Sequence, residues 1–185
     1  FIDHLYINKG YTLEDLENTD PKLIKEMRDY YFNQIESYKK NKNKKITIDK
    51  MPLNLVHVGE ILRFFPNAKF ILALRHPYDC VLSCFMQNFM LNHAMANFLN
   101  LDDTLKLYDL TMSLWKKYTN VFKIDHHLIR YEDVVSNFKK TIGDLLKFLK
   151  VKWSDNVIEF YKTAEKRGII NTPSYNQVSQ PIYSN

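Results

Sequence analysis

Most of the chain shows apolar positions at helical spacing, broken by a few short apolar runs of strand character. Asp20-Pro21 starts the first long helix, with Asp20 as N-cap and Pro21 in the first helical position, and it is expected to reach about Lys40. Residues 46–49 read as a short buried strand stopped by Met51-Pro52. Residues 54–64 return to helical spacing before Pro66-Asn67 turns the chain. The run AKFILAL at 68–74 is the strongest strand, short and continuously apolar as in a parallel sheet. Pro77 then suits the first turn of a helix to about Met90. Helices are predicted over 105–121, 134–149 and 155–164, a third strand over 127–131, and an extended tail from Arg167. Strands alternating with helices of this length indicate an α/β fold, a parallel sheet flanked by helices. In such sheets ligands bind beyond the carboxyl ends of the strands.

Composition narrows the class without fixing it. A chain of 185 residues suits one domain, 1–185, and is too short for two substantial cores. No apolar run reaches the roughly 18–20 residues that span a bilayer, so no membrane segment is expected here. Net charge is +5, and five lysines fall within 38–45, a solvated loop between helix and strand. No aromatics interleave them, which argues against a nucleic-acid partner. Cys80 and Cys84 lie four apart on one helical face, as reduced core residues, and favour a cytoplasmic setting. With His76 they make a His-x3-Cys-x3-Cys spacing, but no fourth ligand completes a tetrahedron, and no metal is expected.

Polar groups gather after the strands: Asp49-Lys50-Met51-Pro52, Arg75-His76-Pro77-Tyr78-Asp79 and Arg130-Tyr131-Glu132-Asp133. An Arg at a strand end, followed by a helix N-terminus, makes a phosphate site, because its fork and the open N–H groups face the same anion. Ser83, about two turns into that helix, can add a hydroxyl. A surface Arg75 paired with Asp79 explains the same pattern.

Lys50-x-Pro52, then Phe65-Pro66-Asn67-Ala68-Lys69, then Arg75-x-Pro77-x-Asp79-x3-Ser83 resembles the sulfotransferase family, nearest its bacterial-type and tyrosylprotein-type branches. The similarity continues through Thr172-Pro173-Ser174 and Gln177-Val178-Ser179-Gln180-Pro181, covering about residues 46–183. It implies a P-loop NTPase-like fold and transfer of a sulfuryl group from 3′-phosphoadenosine 5′-phosphosulfate to a hydroxyl or amine. Under this resemblance Arg75 and Ser83 hold the donor's 3′-phosphate, and Tyr131 packs near the adenine. Lys50 meets the transferring sulfuryl group and its bridging oxygen, with Ser174 near the same group. A lysine beside the leaving oxygen counters the charge that builds there. For Tyr131 a core tyrosine ending a strand is the competing reading, for Lys50 a solvent-facing lysine, and for Ser174 a loop hydroxyl capping its own turn.

One expected part has no match. The family's 5′-phosphosulfate loop needs a Gly- and Ser/Thr-rich turn between strand and helix, and the glycines at 10, 59, 143 and 168 supply none. The usual general base has no match either; His4 and Asp3 lie near where that segment would end, without a motif. Ser179 stands where many bacterial-type relatives have a basic residue. The expectation is therefore a partial sulfotransferase domain, incomplete at the N-terminus and inactive by itself, or else a non-catalytic nucleotide-binding module. A P-loop kinase is disfavoured, as no Gly-Lys-Ser/Thr loop occurs. An exposed sheet edge would favour pairing with a second copy. The acceptor is not legible.

Overall fold

The computed structural model describes residues 2, 4–38, 46–162, 180 and 182. It has the α/β class with a parallel sheet that the sequence predicts. Two compact units are distinguished, residues 1–69 with 111–125, and residues 70–110 with 126–185.

In the first unit, α1 (Pro21–Tyr38) begins as expected: the Lys22 N–H donates to Asp20 Oδ1 at 2.8 Å, and Pro21 opens the helix. The predicted helix over 54–64 forms in two parts, a 3-10 turn over Pro52–His57 and then α2 (Val58–Phe64). Pro52 opens the turn, where its missing N–H costs nothing. Leu5, Leu23, Met27 and Phe64 form the buried core, with Tyr6, Tyr11, Leu16, Ile24 and Phe65 packed against it. Leu5 and Tyr6 come from a π turn over His4–Asn8.

Residues 46–50 carry no strand, contrary to expectation. Ile46 and Ile48 are exposed, and Tyr31 of α1 donates its hydroxyl to Asp49 Oδ2 at 3.0 Å. A strand requires a ladder partner, and among the described residues the sheet has two strands that pair with each other. An apolar alternation such as Ile46-Thr47-Ile48 also fits a segment leaning on an aromatic helix face.

The second unit holds that sheet. Strand β1 (Phe70–Leu74) pairs in parallel with β2 (His126–Arg130), Phe70 opposite His126 and Leu74 opposite Arg130. Leu72 of β1 and Val81 of α3 (Pro77–Met86) are buried. α3 ends four residues earlier than predicted, at Met86, where Gln87 turns extended. α4 (Leu101–Val121) starts earlier than predicted, after Asn100 Oδ1 accepts the Asp103 N–H at 2.8 Å and caps it; it contributes to both units.

Tyr131 does not end the strand. It opens α5 (Tyr131–Ser136), and the helix predicted over 134–149 is interrupted at Asn137 before α6 (Phe138–Phe148). Asn137 leaves helical geometry (φ −146°, ψ 63°). The Asp133 carbonyl accepts the Asn137 N–H at 2.8 Å and the Thr141 hydroxyl at 3.0 Å, so one backbone and one side-chain bond bridge the break. Of the helix predicted over 155–164, a 3-10 turn at Asp155–Val157 and helical residues at 160–162 are described. Nearly all of the predicted extended tail lies outside the described residues.

Candidate functional site

The register of the sheet assembles the strand-end groups. Leu74 faces Arg130, so the next residues, Arg75 and Tyr131, leave the carboxyl ends of two adjacent strands side by side. The Arg75 Cζ lies 5.3 Å from the centre of the Tyr131 ring, a cation–π arrangement. Arg75 Nε is 3.6 Å from Asp79 Oδ2 in the first turn of α3. The surface pairing with Asp79 therefore exists, yet it is longer than a hydrogen bond. It steadies the guanidinium and leaves its hydrogen-bonding capacity available to an anion.

His76 is the N-cap of α3, and Pro77 is its first residue. The first helical hydrogen bond runs from the Cys80 N–H to the His76 carbonyl, 3.0 Å. The N–H groups of Tyr78 and Asp79 thus open at the start of a ten-residue helix, with Arg75 immediately before it. Ser83 is half-buried, one turn beyond Asp79 on the same helical side.

Glu132 closes the other side of this corner. Its Oε1 accepts the His76 N–H at 2.7 Å, tying the entry of α3 to the residue after Tyr131. Its Oε2 is shielded from solvent and lies 3.7 Å from Arg130 Nε. Hydrogen bonds from its own backbone N–H, and then from that of His76, hold the carboxyl below the ordinary glutamate range. Glu132 was visible in the sequence only as one of several polar residues after a strand. Its reach to a backbone 56 positions away depends on the register of β1 against β2.

Of the residues singled out from the sequence, Arg75, Ser83 and Tyr131 all lie in the second unit. Tyr131 stands beneath the Arg75 guanidinium. Lys50 lies in the first unit, exposed on the rim of a shallow groove with Tyr31, Ile35, Tyr38, Ile48 and Asp49. Burial, and then the Asp49 charge, push the Tyr31 hydroxyl up to about 12. Ser174, like Ser179, lies outside the described residues.

The first unit also contains a polar cluster that sequence reasoning passed over. Glu60 is 5% exposed, and its Oε1 meets both the Tyr6 hydroxyl at 2.9 Å and His57 Nδ1 at 3.0 Å. Glu60 and His57 are three apart across the start of α2, a spacing that was readable; the third member comes from 54 residues away.

Comparison with known proteins agrees with the family resemblance. The model of the sulfotransferase family matches residues 6–155. An uncharacterized protein of Aquifex aeolicus (strain VF5) is 30% identical over 168 residues, which are 89% of this chain and 21% of that protein. The chain thus spans about a fifth of the length of this curated relative. With most of its length, residues 6–155, under one family model, the chain belongs to the sulfotransferase family.

Proposed function

We propose that residues 1–185 are a partial sulfotransferase domain that binds the 3′-phosphate end of 3′-phosphoadenosine 5′-phosphosulfate. The observation that carries this is Arg75, steadied by the Tyr131 ring and Asp79 at the open start of α3. A phosphate there meets a guanidinium fork, the helix N–H groups and the Ser83 hydroxyl, a set of charge-assisted bonds suited to a dianion. Tyr131, already stacked on Arg75, offers its other surroundings to the adenine.

The donor supplies an activated sulfuryl group, and the reaction of the family passes it to a hydroxyl or amine. Such a transfer rests on positioning and on stabilising the charge that grows on the leaving oxygen. Lys50 is assigned that charge, and Ser174 a place beside the same group, on the resemblance alone. No Gly-Thr pair occurs in these 185 residues, so binding, rather than turnover, is the property to measure in this chain.

Calorimetric titration with adenosine 3′,5′-bisphosphate tests the assignment. Arg75→Ala is expected to weaken binding about 10- to 100-fold, the loss of one or two charge-assisted bonds. Equal affinities for wild type and variant would remove Arg75 from the site. No binding by either would leave the nucleotide reading without support.

Self-association belongs to the same reading. Among the described residues the sheet has two strands, and Ile71 and Leu128 are exposed. Open strand edges of this kind recruit further strands. Light scattering is expected to show a dimer at micromolar concentration, whereas a monomer of high thermal stability would rule the pairing out.

A further inference from the structure

Beyond the last ladder pair, Leu74 with Arg130, side chains keep the two strands joined. One step on, the Arg75 guanidinium lies 5.3 Å from the centre of the Tyr131 ring. Two steps on, the His76 N–H donates to Glu132 Oε1 at 2.7 Å. The register thus continues past the sheet, 75 with 131 and 76 with 132, with side-chain contacts in place of ladder bonds. Both chains turn from strand to helix here, α5 opening at Tyr131 and α3 at Pro77.

Glu132 is poorly suited to be a stabiliser alone. Among the described residues its Oε2 has no hydrogen-bond partner although it is shielded from solvent, and Arg130 Nε at 3.7 Å is too far to be one. A shielded oxygen left so weakens folding. Its negative charge also stands beside a corner suited to an anion, where it repels the ligand.

We propose that Glu132 is a positioning residue of the nucleotide corner: by tying the residue after Arg75 to the residue after Tyr131, it holds the guanidinium over the ring and ready for the 3′-phosphate. This role rests on the nucleotide reading above. Arginine carries much rotamer freedom, and holding it beforehand in the bound geometry removes a cost of binding. The bond at His76 fixes the backbone that carries Arg75, while the Tyr131 ring and Asp79 flank the guanidinium itself.

The two effects of Glu132 on an anion have opposite signs. Its charge opposes binding through space, and its hydrogen bond favours binding through Arg75. Three substitutions separate them. Glu132→Gln keeps an oxygen for the His76 N–H and removes the charge. Glu132→Asp keeps the charge and ends one bond short of that N–H. Glu132→Ala removes both.

The test is calorimetric titration of the full chain with adenosine 3′,5′-bisphosphate, together with amide exchange at His76 followed by NMR. Glu132→Gln is expected to bind as tightly as wild type, or up to about three-fold tighter. Glu132→Asp and Glu132→Ala should bind about 3- to 30-fold more weakly, and their His76 N–H should exchange at least about ten-fold faster. In the Arg75→Ala background, Glu132→Ala should weaken binding no further, because the group it positions is gone. Glu132→Asp binding like wild type, or Glu132→Gln binding as weakly as Glu132→Ala, would overturn the proposal. Equal weakening by Glu132→Ala in both backgrounds would overturn the route through Arg75. Should Glu132→Ala fail to fold, Glu132→Asp takes its place in both comparisons. If wild type does not bind the nucleotide, the nucleotide reading falls, whereas equal His76 exchange in wild type and Glu132→Asp would overturn the tie itself.

Discussion

Replacing Phe64 with alanine is expected to cost about 3–5 kcal/mol of folding stability, as deletion of a fully buried aromatic ring does. Phe64 is wholly shielded from solvent at the end of α2, where it meets Leu5, Leu23 and Met27. Together with Phe64 these residues come from three separated stretches of chain, so the ring joins the π turn, α1 and α2 into one core. The Phe64 carbonyl also accepts a hydrogen bond from Arg28 Nε, and that bond involves only backbone on the α2 side. It survives the substitution, which confines the loss to packing. Urea unfolding should show a lower midpoint with little change in slope. Phe64→Leu retains much of the volume and should lose about 1–2 kcal/mol. A change below about 1 kcal/mol for Phe64→Ala would mean that the ring closes no core.

The parts of this architecture that the sequence makes legible are those decided by near neighbours. Asp20 and Pro21 write the start of α1 because a cap needs only a side-chain oxygen and two following residues. His76 and Pro77 do the same for α3, and the apolar run at 70–74 marks β1. The position of Arg75 is legible for the same reason, since it stands between a strand end and a helix start. Residues 46–49 mislead because a short apolar alternation fits a ladder or a helix face equally well. What distinguishes the two is Tyr31 bonding Asp49, a contact between distant positions. Local pattern alone puts Tyr131 one residue too far into the strand, as the register with β1 stops at Arg130. The stacking of Arg75 on Tyr131, and the reach of Glu132 to His76, follow from that register and from no local pattern. Lys50 and Ser174 show the complementary case. Their motifs are local and readable, while their roles depend on a substrate that the motifs do not contain.

The cluster around Glu60 yields the other large effect, and it also sets a pH dependence. Burial taken alone would raise the Glu60 carboxyl, but hydrogen bonds from His57, from its own backbone N–H and from Tyr6 outweigh it, and the value lies below the ordinary 4.5. An ionised carboxylate only accepts, so both neighbours act as donors to Oε1. Glu60→Ala strands a part-buried phenol and an imidazole N–H together and leaves a cavity, for an expected loss of about 3–4 kcal/mol at neutral pH. Glu60→Gln keeps an oxygen where both donors can use it and should lose about 1 kcal/mol. The sign of the pH effect follows from the lowered value. Folding favours the ionised form, so the stabilisation is present above pH 4.5 and disappears as the pH falls through the folded value. Tyr6 sets the opposite limb. Burial first, and then Glu60, raise its hydroxyl above the ordinary 10.0, so its contribution is present below that pH and is lost as the pH rises beyond it. Other carboxyls with lowered values, Asp15, Glu26, Glu132 and Asp144, add to the acid limb of the wild type. The diagnostic quantity is therefore the difference between wild type and Glu60→Gln, measured by urea unfolding from pH 3 to 7. That difference should shrink toward zero as the pH falls below 4.5, because a protonated Glu60 and a glutamine are both neutral. A difference that stays constant across the range would show that the charge of Glu60 contributes nothing and that its shape alone matters.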